Sequence, residues 1–393
     1  MSEYFVIDNF TLIASIVVLV IAIGTCFLSP FLRYRKPVDD ADDEQQPADA
    51  PKLTIVLSPH DELDRLERNL PLLLGQKYPA GFQVIVVIDE SAHDTEDLLK
   101  RMQTEVNEHP GDGSLYYTYI PDSSRYLSRK KLAITVGVKA STTEWVMVTE
   151  ASSVPASDEW LATMARHCTD ANHVVIGYGN YADEASAFKR YERLRAAYYL
   201  MREDTHGKPY RTMSHNVMFR KSDFMEDDGF LGNLSLIRGE YDFIVNKYAT
   251  EGATALVTNQ KGWVIDEAPT HKSWMASHIF YMESRHWLEG GARHRVWFNI
   301  DQTALHLSLL LIIAAAIVGA VCLNATLLSA AALSLIASIV IRTVIVHKGM
   351  AAFGEKVPVM LLWPYEVSLV WRNAIYALRH RFSDKLDFTT HKQ

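Results

Sequence analysis

The apolar run in VMVTEASSVP (residues 146–155) stops at one carboxylate, Glu150, ahead of two serines and a proline. Other acids end or follow similar runs. Pro59, His60, Asp61 and Glu62 come after LTIVLS (53–58), while Asp89, Glu90, Ser91 and Asp94 close or follow QVIVVID (83–89). Three bases, Arg129, Lys130 and Lys131, open the segment SRKKLAITVGVKA. Cations at a helix start face the positive end of the dipole, a cost of about a few tenths of a kcal/mol per exposed charge that a bound anion would reverse. A solvated surface cluster is the other reading of the same three residues. Carboxylates and cations around one crevice suit a metal ion together with a diphosphate.

The elements that must bring these residues together are legible in the pattern. LTIVLS, QVIVVID, LYYTYI (115–120), WVMVT (145–149) and HVVIGYG (173–179) are rich in β-branched and aromatic residues, as strands are. Between the first of them, ELDRLERNLPLLLGQ and TEDLLKRMQTEV repeat leucine at the spacing of one helix face. Alternation of this kind predicts an α/β fold, a mostly parallel sheet flanked by helices. Ligands of such sheets bind beyond the carboxyl ends of the strands, so the loops after the first, second and fourth strands should face one pocket. Asp61 is also a candidate N-cap for a helix over 62–76.

The flanks are of another kind. No charged side chain occurs from Phe10 to Leu32, and none from Gln302 to Ile341. At about 20 residues per span the first stretch crosses a bilayer once. The second is read as two helices folded back at Asn324, Ala325 and Thr326, giving three transmembrane helices without an intramembrane charge, a poor path for a transporter. Arg33, Arg35 and Lys36 follow the first span and Arg342 and Lys348 the third, whereas Glu3 and Asp8 precede the first. That bias predicts a cytoplasmic middle region, and the acidic start argues for a permanent anchor over a cleaved signal peptide. The expected organisation is an anchor (1–36), an acidic linker (37–51), a cytoplasmic domain (52–300), a transmembrane hairpin (301–346), and an interfacial helix with a tail (347–393). Cys26, Cys168 and Cys322 are too few and too scattered for a zinc site or disulfide framework. A net charge of -8 argues against nucleic acid as a partner.

In order and spacing, IVLSPHDE, NLPLLLGQKYP, VIVVIDESAHDTED, SRKKLAITVGVKA and VMVTEASSVPASDEWL resemble the membrane-anchored family 2 glycosyltransferases of bacterial inner membranes, which have the GT-A fold. The resemblance covers roughly residues 53–287. It implies that Pro59, Asp61, Glu62 and Asp89 lie against a nucleotide, most often uridine, with Lys131 and Arg285 on the diphosphate. It implies that Glu150 holds Mg2+ or Mn2+, that Asp242 with Glu240 supplies the general base, and that Asn216 and His286 contact the acceptor. An inverting base must sit within hydrogen-bonding reach of the acceptor hydroxyl; an exposed helix start rich in acids is the other reading of 240–242.

Several positions depart from the family's pattern. Ser152 stands where a second acid is usual, Tyr241 where an acid is usual, Met282 in place of glutamine and His286 in place of tryptophan. The last two speak against processive polymer synthesis. The resemblance therefore implies a multi-pass inner-membrane enzyme of polysaccharide biosynthesis, its catalytic domain cytoplasmic and in contact with membrane lipids. Such an enzyme moves a sugar from a nucleoside-diphosphate donor, a UDP-sugar foremost, to a lipid-linked or glycan acceptor. The alternative is a catalytically impaired relative acting as a membrane scaffold that binds a sugar nucleotide or partner enzymes.

Overall fold

The computed structural model describes residues 8–33, 50–121, 127–204, 207–384 and 386–389. Most of the acidic linker, together with Glu3, Arg35 and Lys36, lies outside the described residues. The chain divides into two compact units: residues 1–34, 187–198 and 290–375 form one, and residues 35–186, 199–289 and 376–393 the other.

The second unit is built on a sheet. Its strands are β1 (Leu53–Leu57), β2 (Phe82–Asp89), β3 (Gly113–Ile120), β4 (Trp145–Val148), β5 (Ser153–Pro155), β6 (Val174–Gly177), β7 (Gly179–Tyr181), β8 (Val217–Arg220), β9 (Thr254–Val257) and β10 (Val264–Asp266). Seven form one sheet in the order β3-β2-β1-β4-β8-β6-β9, and β5-β10-β7 form a small second one. The large sheet is mostly parallel; β8 alone runs against its neighbours β4 and β6. The five predicted strands are present: β1, β2, β4 and β6 are buried on both faces, β3 at the sheet edge exposes Tyr116 and Tyr119, and the run at 173–179 divides between β6 and the start of β7.

Successive side chains of a strand point to opposite faces. Ile55, Leu57, Val84, Val86 and Met147 enter one core with Leu66, Leu70 and Leu73 of α2 (Leu63–Leu74), Leu98, Leu99 and Met102 of α3 (His93–Glu108), and Trp160. Val56, Ile85, Val87, Val146 and Val148 enter the other, with Ala133, Ile134 and Val138 of α4 (Arg129–Ala140). Approach on that side is close: a Cβ on Gly137 would lie 2.4 Å from Cγ1 of Val56. The short α5 (Trp160–Ala165) and α7 (Lys221–Glu226), with α8 (Glu240–Tyr248), complete the cover of the sheet, and α9 (His271–Ser284) follows β10. The long α6 (Ala187–Asp204) starts in the first unit and ends in this one.

The first unit gathers α1 (Asn9–Cys26), α10 (Gly291–Val321), α11 (Ala325–Ala352) and the start of α12 (Val359–Phe382); a last turn, α13 (Leu386–Thr389), falls in the second unit. α1, α10 and α11 are long and apolar enough to cross a membrane. The 18 residues of α1 rise about 27 Å at ~1.5 Å each, close to the ~30 Å hydrocarbon core. Val18 and Ala22 pack with Ile312, Ala315, Leu327 and Ala331. The fold-back falls where the sequence placed it: Asn324 caps α11 and its amide donates to the Thr11 hydroxyl at 2.9 Å.

One expectation fails here. α10 starts before the uncharged stretch and α11 runs past its end, so Asp301 and Arg342 lie within the candidate spanning helices. Both are buried, with Glu366 of α12 and Arg195 of α6. The Arg342 guanidinium donates to Glu366 at 2.8 Å, to Asp301 at 2.9 Å and to the Thr25 carbonyl at 2.7 Å. Arg195 donates to the second oxygen of Asp301 at 2.7 Å, and the Tyr191 hydroxyl to Glu366 at 3.2 Å. Two bases thus balance two acids. Arg342→Met should leave the two buried carboxylates sharing Arg195 as their base, one positive charge short, lowering stability by about 3–5 kcal/mol. A thermal melt of the detergent-solubilised protein, with Leu333→Met on the exposed apolar surface as control, checks this.

Candidate active site

The second unit brings its acids together through strand register. β1, β2 and β4 are parallel neighbours, so Pro59 to Glu62, Asp89 and Glu150 leave the sheet at one edge. β4 and β8 are antiparallel with Val148 opposite Val217. Glu150, two residues beyond Val148, therefore meets His215, two residues before Val217, and Nε2 of His215 lies 4.0 Å from Glu150. β5 and β10 pair Ser153 with Asp266, and the Ser153 hydroxyl donates to that carboxylate. Asp266 also faces Nδ1 of His215 at 3.3 Å.

At the edge of this group Asp89 ties two loops together. Its carboxylate pairs with Nδ1 of His60 at 2.8 Å and accepts from Nε of Arg129 at 2.8 Å. Pro59 is buried beside it in sequence, whereas Asp61 is exposed and holds a left-handed backbone at φ 55°. Asp61 therefore does not cap α2; the capping position is Glu62, whose carboxylate instead accepts from Arg65 at 2.7 Å. Arg65 and Arg68 both reach Glu267.

The three bases at the start of α4 part company, because adjacent helix positions point about 100° apart. Arg129 takes Asp89. Lys131 is fully buried and spends its three protons on Asn233 O, Asn233 Oδ1 and Leu236 O, at 2.7, 2.5 and 2.6 Å. Burial lowers its pKa to about 8, against the pull of Glu240. Lys130 turns to the acids: its ammonium donates to Glu150, lies 3.2 Å from Glu240, and sits 5.2 Å from the centre of the Tyr241 ring. Burial alone would lower the pKa of Lys130, but Glu150 and then Glu240 overcome it and hold the ammonium charged. The same contest is settled at Glu150, where Lys130 and His215 outweigh burial and keep the carboxylate ionised. Burial opposes the charge of His215 too, yet Asp266 and Glu150 raise its pKa.

The acids of α8 are not an exposed helix start: Glu240 is buried and Asp242 half-buried. Gly239, at φ 91°, turns the chain into this helix in a conformation that favours glycine. Tyr241 packs against His215 with ring centres 4.9 Å apart. Asp242 accepts from the Thr212 amide at 3.1 Å and faces Arg211 at 3.4 Å. Burial raises its pKa, only partly offset by Arg211. Arg211 in turn lies over Tyr281, 3.8 Å from the ring centre.

The remaining expected residues are scattered in role. Asn216 is fully buried and its amide is committed to the protein: it donates to Tyr178 O at 3.2 Å and Gly262 O at 2.9 Å, and accepts from Trp160 at 3.2 Å. Arg285 ends α9, and its buried Nε has no hydrogen-bond partner among the described residues. His286 is exposed. Sequence reasoning passed over His215, Asp266 and Arg211, and placed its wager on Lys131 where Lys130 faces the acids. His215 had one signal, its place beside Asn216; Asp266 ends a strand of three residues, too short to show a period.

The family profile of glycosyl transferase family 2 matches residues 54–227. Those residues are a family 2 glycosyltransferase domain. A mannosyltransferase from Pyrobaculum calidifontis, solved in complex with GDP-Man and Mn2+, shares the fold at a TM-score of 0.52 and 17% identity, over 92% of this chain and 98% of its own. The shared fold takes in the GT-A-like sheet with its flanking helices and extends over nearly the whole chain. Residues 1–349 of TarS from S. aureus in complex with UDP align at a TM-score of 0.39 and 13% identity, over 65% of this chain and 69% of that one. No curated protein matches.

A divalent metal ion is the cofactor expected of such a domain, and the residues present do not fit one. Magnesium takes carboxylates in an octahedral shell, and hard cations need anionic oxygens. Among the described residues no group of three or more His, Cys, Asp or Glu is placed to hold a metal ion. Glu150 is already neutralised by Lys130, His215 is held toward its cationic form, and position 152 offers a neutral hydroxyl. While the Lys130 ammonium occupies Glu150, a divalent ion at that carboxylate would meet like-charge repulsion. Asn216→Ala should destabilise the family 2 domain by about 1–3 kcal/mol for each carbonyl and indole left unpaired. In the unfolding midpoint this is expected as a clear drop, with the affinity for a nucleoside diphosphate unchanged.

Proposed function

We propose that this chain is a membrane-embedded, non-processive glycosyltransferase that moves a sugar from a nucleoside-diphosphate donor to a lipid-linked or membrane-adjacent glycan, inverting the anomeric centre. The observation that carries the reading is the convergence of Lys130, Glu150, His215 and Asp266 with the buried Glu240 of α8 where the parallel strands end. The mannosyltransferase neighbour holds GDP-Man and the TarS fragment UDP, so both purine and pyrimidine donors belong in a test.

Each group has a role. Asp89, with His60 and Arg129 fixing its two oxygens, accepts from the nucleoside. Arg285, whose Nε has hydrogen-bonding capacity left, contacts phosphate. Asp242 takes the proton of the acceptor hydroxyl, and its raised pKa makes it a better base than an exposed aspartate. Glu240 holds Lys130 in register beside it. No step passes through a divalent ion, since Lys130 already neutralises Glu150. The apolar helices anchor the protein in a bacterial inner membrane with the family 2 domain cytoplasmic, a side supported by the bases that follow the first and third spans.

The rival reading, a scaffold that binds a sugar nucleotide without turning it over, is separated by one assay. Purified full-length protein in nanodiscs is incubated with a panel of UDP- and GDP-sugars and a lipid-linked acceptor extract, and released nucleotide is measured. Turnover of one donor, lowered about 100-fold or more by Asp242→Asn, is expected of a general base. Tight donor binding with no release across the panel would establish the scaffold.

A pH profile adds an independent check. The base works only when ionised, so kcat/KM should fall as pH drops through the pKa of Asp242. Because burial raises that pKa above 3.8, the acidic limb should lie above the ordinary aspartate range. A limb at or below that range would remove Asp242 from the role.

A further inference from the structure

Sugar transfer leaves one further negative charge growing on the departing diphosphate, and something must meet it. We propose that Lys130 is the cation that stabilises this leaving group, in place of a divalent metal ion. The inference rests on the sugar-transfer reading and deepens it.

Among the described residues, the bases Arg129, Lys131 and His215 near the converging loops are each held by other groups. Arg129 is engaged by Asp89, Lys131 is pinned by Asn233 and Leu236, and His215 lies between Asp266 and Glu150. Lys130 differs in being both central and reachable. Its ammonium contacts Glu150 of the loop after β4 and Glu240 of α8, while 31% of its side chain remains exposed. It projects from the first turn of a 12-residue helix, where the backbone dipole also favours an anion.

The departures from the family pattern fit the same account. Ser152, two residues past Glu150, and Tyr241, whose ring lies 5.2 Å from the ammonium, are neutral where the family resemblance would have acids. What remains near Lys130 is a pair of carboxylates, too few for a caged divalent ion and enough to park one flexible ammonium. When the donor enters, Lys130 releases the carboxylates and donates to the diphosphate. The acceptor oxygen then bonds to the anomeric carbon, and the bond from that carbon to the phosphate oxygen breaks. Its electron pair stays on the nucleoside diphosphate beside Lys130, and the hydroxyl proton passes to Asp242. Atoms and charge balance without a further reactant.

The test is calorimetric titration of the full-length protein in detergent with UDP and with GDP, once in EDTA and once in Mn2+. The diphosphate that binds should do so in EDTA within about threefold of its affinity in Mn2+. Lys130→Met should weaken binding in EDTA by at least about tenfold, or about 1.4 kcal/mol, while Lys130→Arg stays within about threefold of the parent. The matching nucleoside monophosphate, which lacks the second phosphate, should lose less than about twofold with Lys130→Met, and this separates a lost contact from a lost fold. Lys130→Gln replaces the methionine variant if that chain does not fold. Wild-type binding that requires Mn2+, or full binding by Lys130→Met in EDTA, overturns the proposal. Absence of binding by both diphosphates in both media overturns the sugar-transfer reading itself, and this inference with it.

Discussion

A carboxylate delivered to the end of a buried strand must find a positive partner, and the family 2 domain is organised around that demand. Glu150 arrives at the sheet edge on β4, with almost no access to water. Lys130 answers it from α4 and also reaches Glu240 on α8, so one ammonium links three elements from distant parts of the sequence. His215 and Asp266 extend the alternation of sign across the small sheet. Removing any one charge leaves its neighbour uncompensated in a poorly solvated place, a greater penalty than the loss of one contact. The loops at this edge are therefore positioned by electrostatics as much as by packing.

The unit containing the candidate spans solves the same problem with different chemistry. Its buried acids come from α10 and α12, and its answer is a guanidinium. Arginine remains charged in surroundings that would neutralise a lysine, and its planar fork reaches several acceptors together. Arg342 uses that geometry to hold two carboxylates and a carbonyl. Lys130, on a flexible stem and partly exposed, can let go. A rigid hub suits an anchor, and a mobile cation suits a site that must admit a charged ligand.

Much of this was legible from residue order. The strands at 53–58, 83–89, 145–149 and 173–179 could be read from their buried apolar runs and the one at 115–120 from its aromatic and β-branched residues, and the fold-back at Asn324 because two polar residues, Asn324 and Thr326, interrupt an apolar stretch of double length. The site was legible only in part. Asp89 and Glu150 follow directly from strand ends, but His215 and Asp266 depend on antiparallel pairings between distant segments, which no local pattern encodes. Among Arg129, Lys130 and Lys131, type and position are too alike to choose between; the choice is made by which loop covers which side of α4. Asp61 has the composition of a cap and lacks the backbone for one. Arg342 was taken as a flanking charge because the run of uncharged residues ends just before it, whereas the helix itself continues.

The hub at Arg342 also bears on biogenesis. Asp301 leaves the ribosome first, Arg342 follows some forty residues later, and Glu366 comes last. Once the hairpin has been translated, its guanidinium can be matched by Asp301 alone, and the set is completed only when α12 emerges. The buried charge set is thus complete only once α12 has been synthesised, later than all three candidate spans.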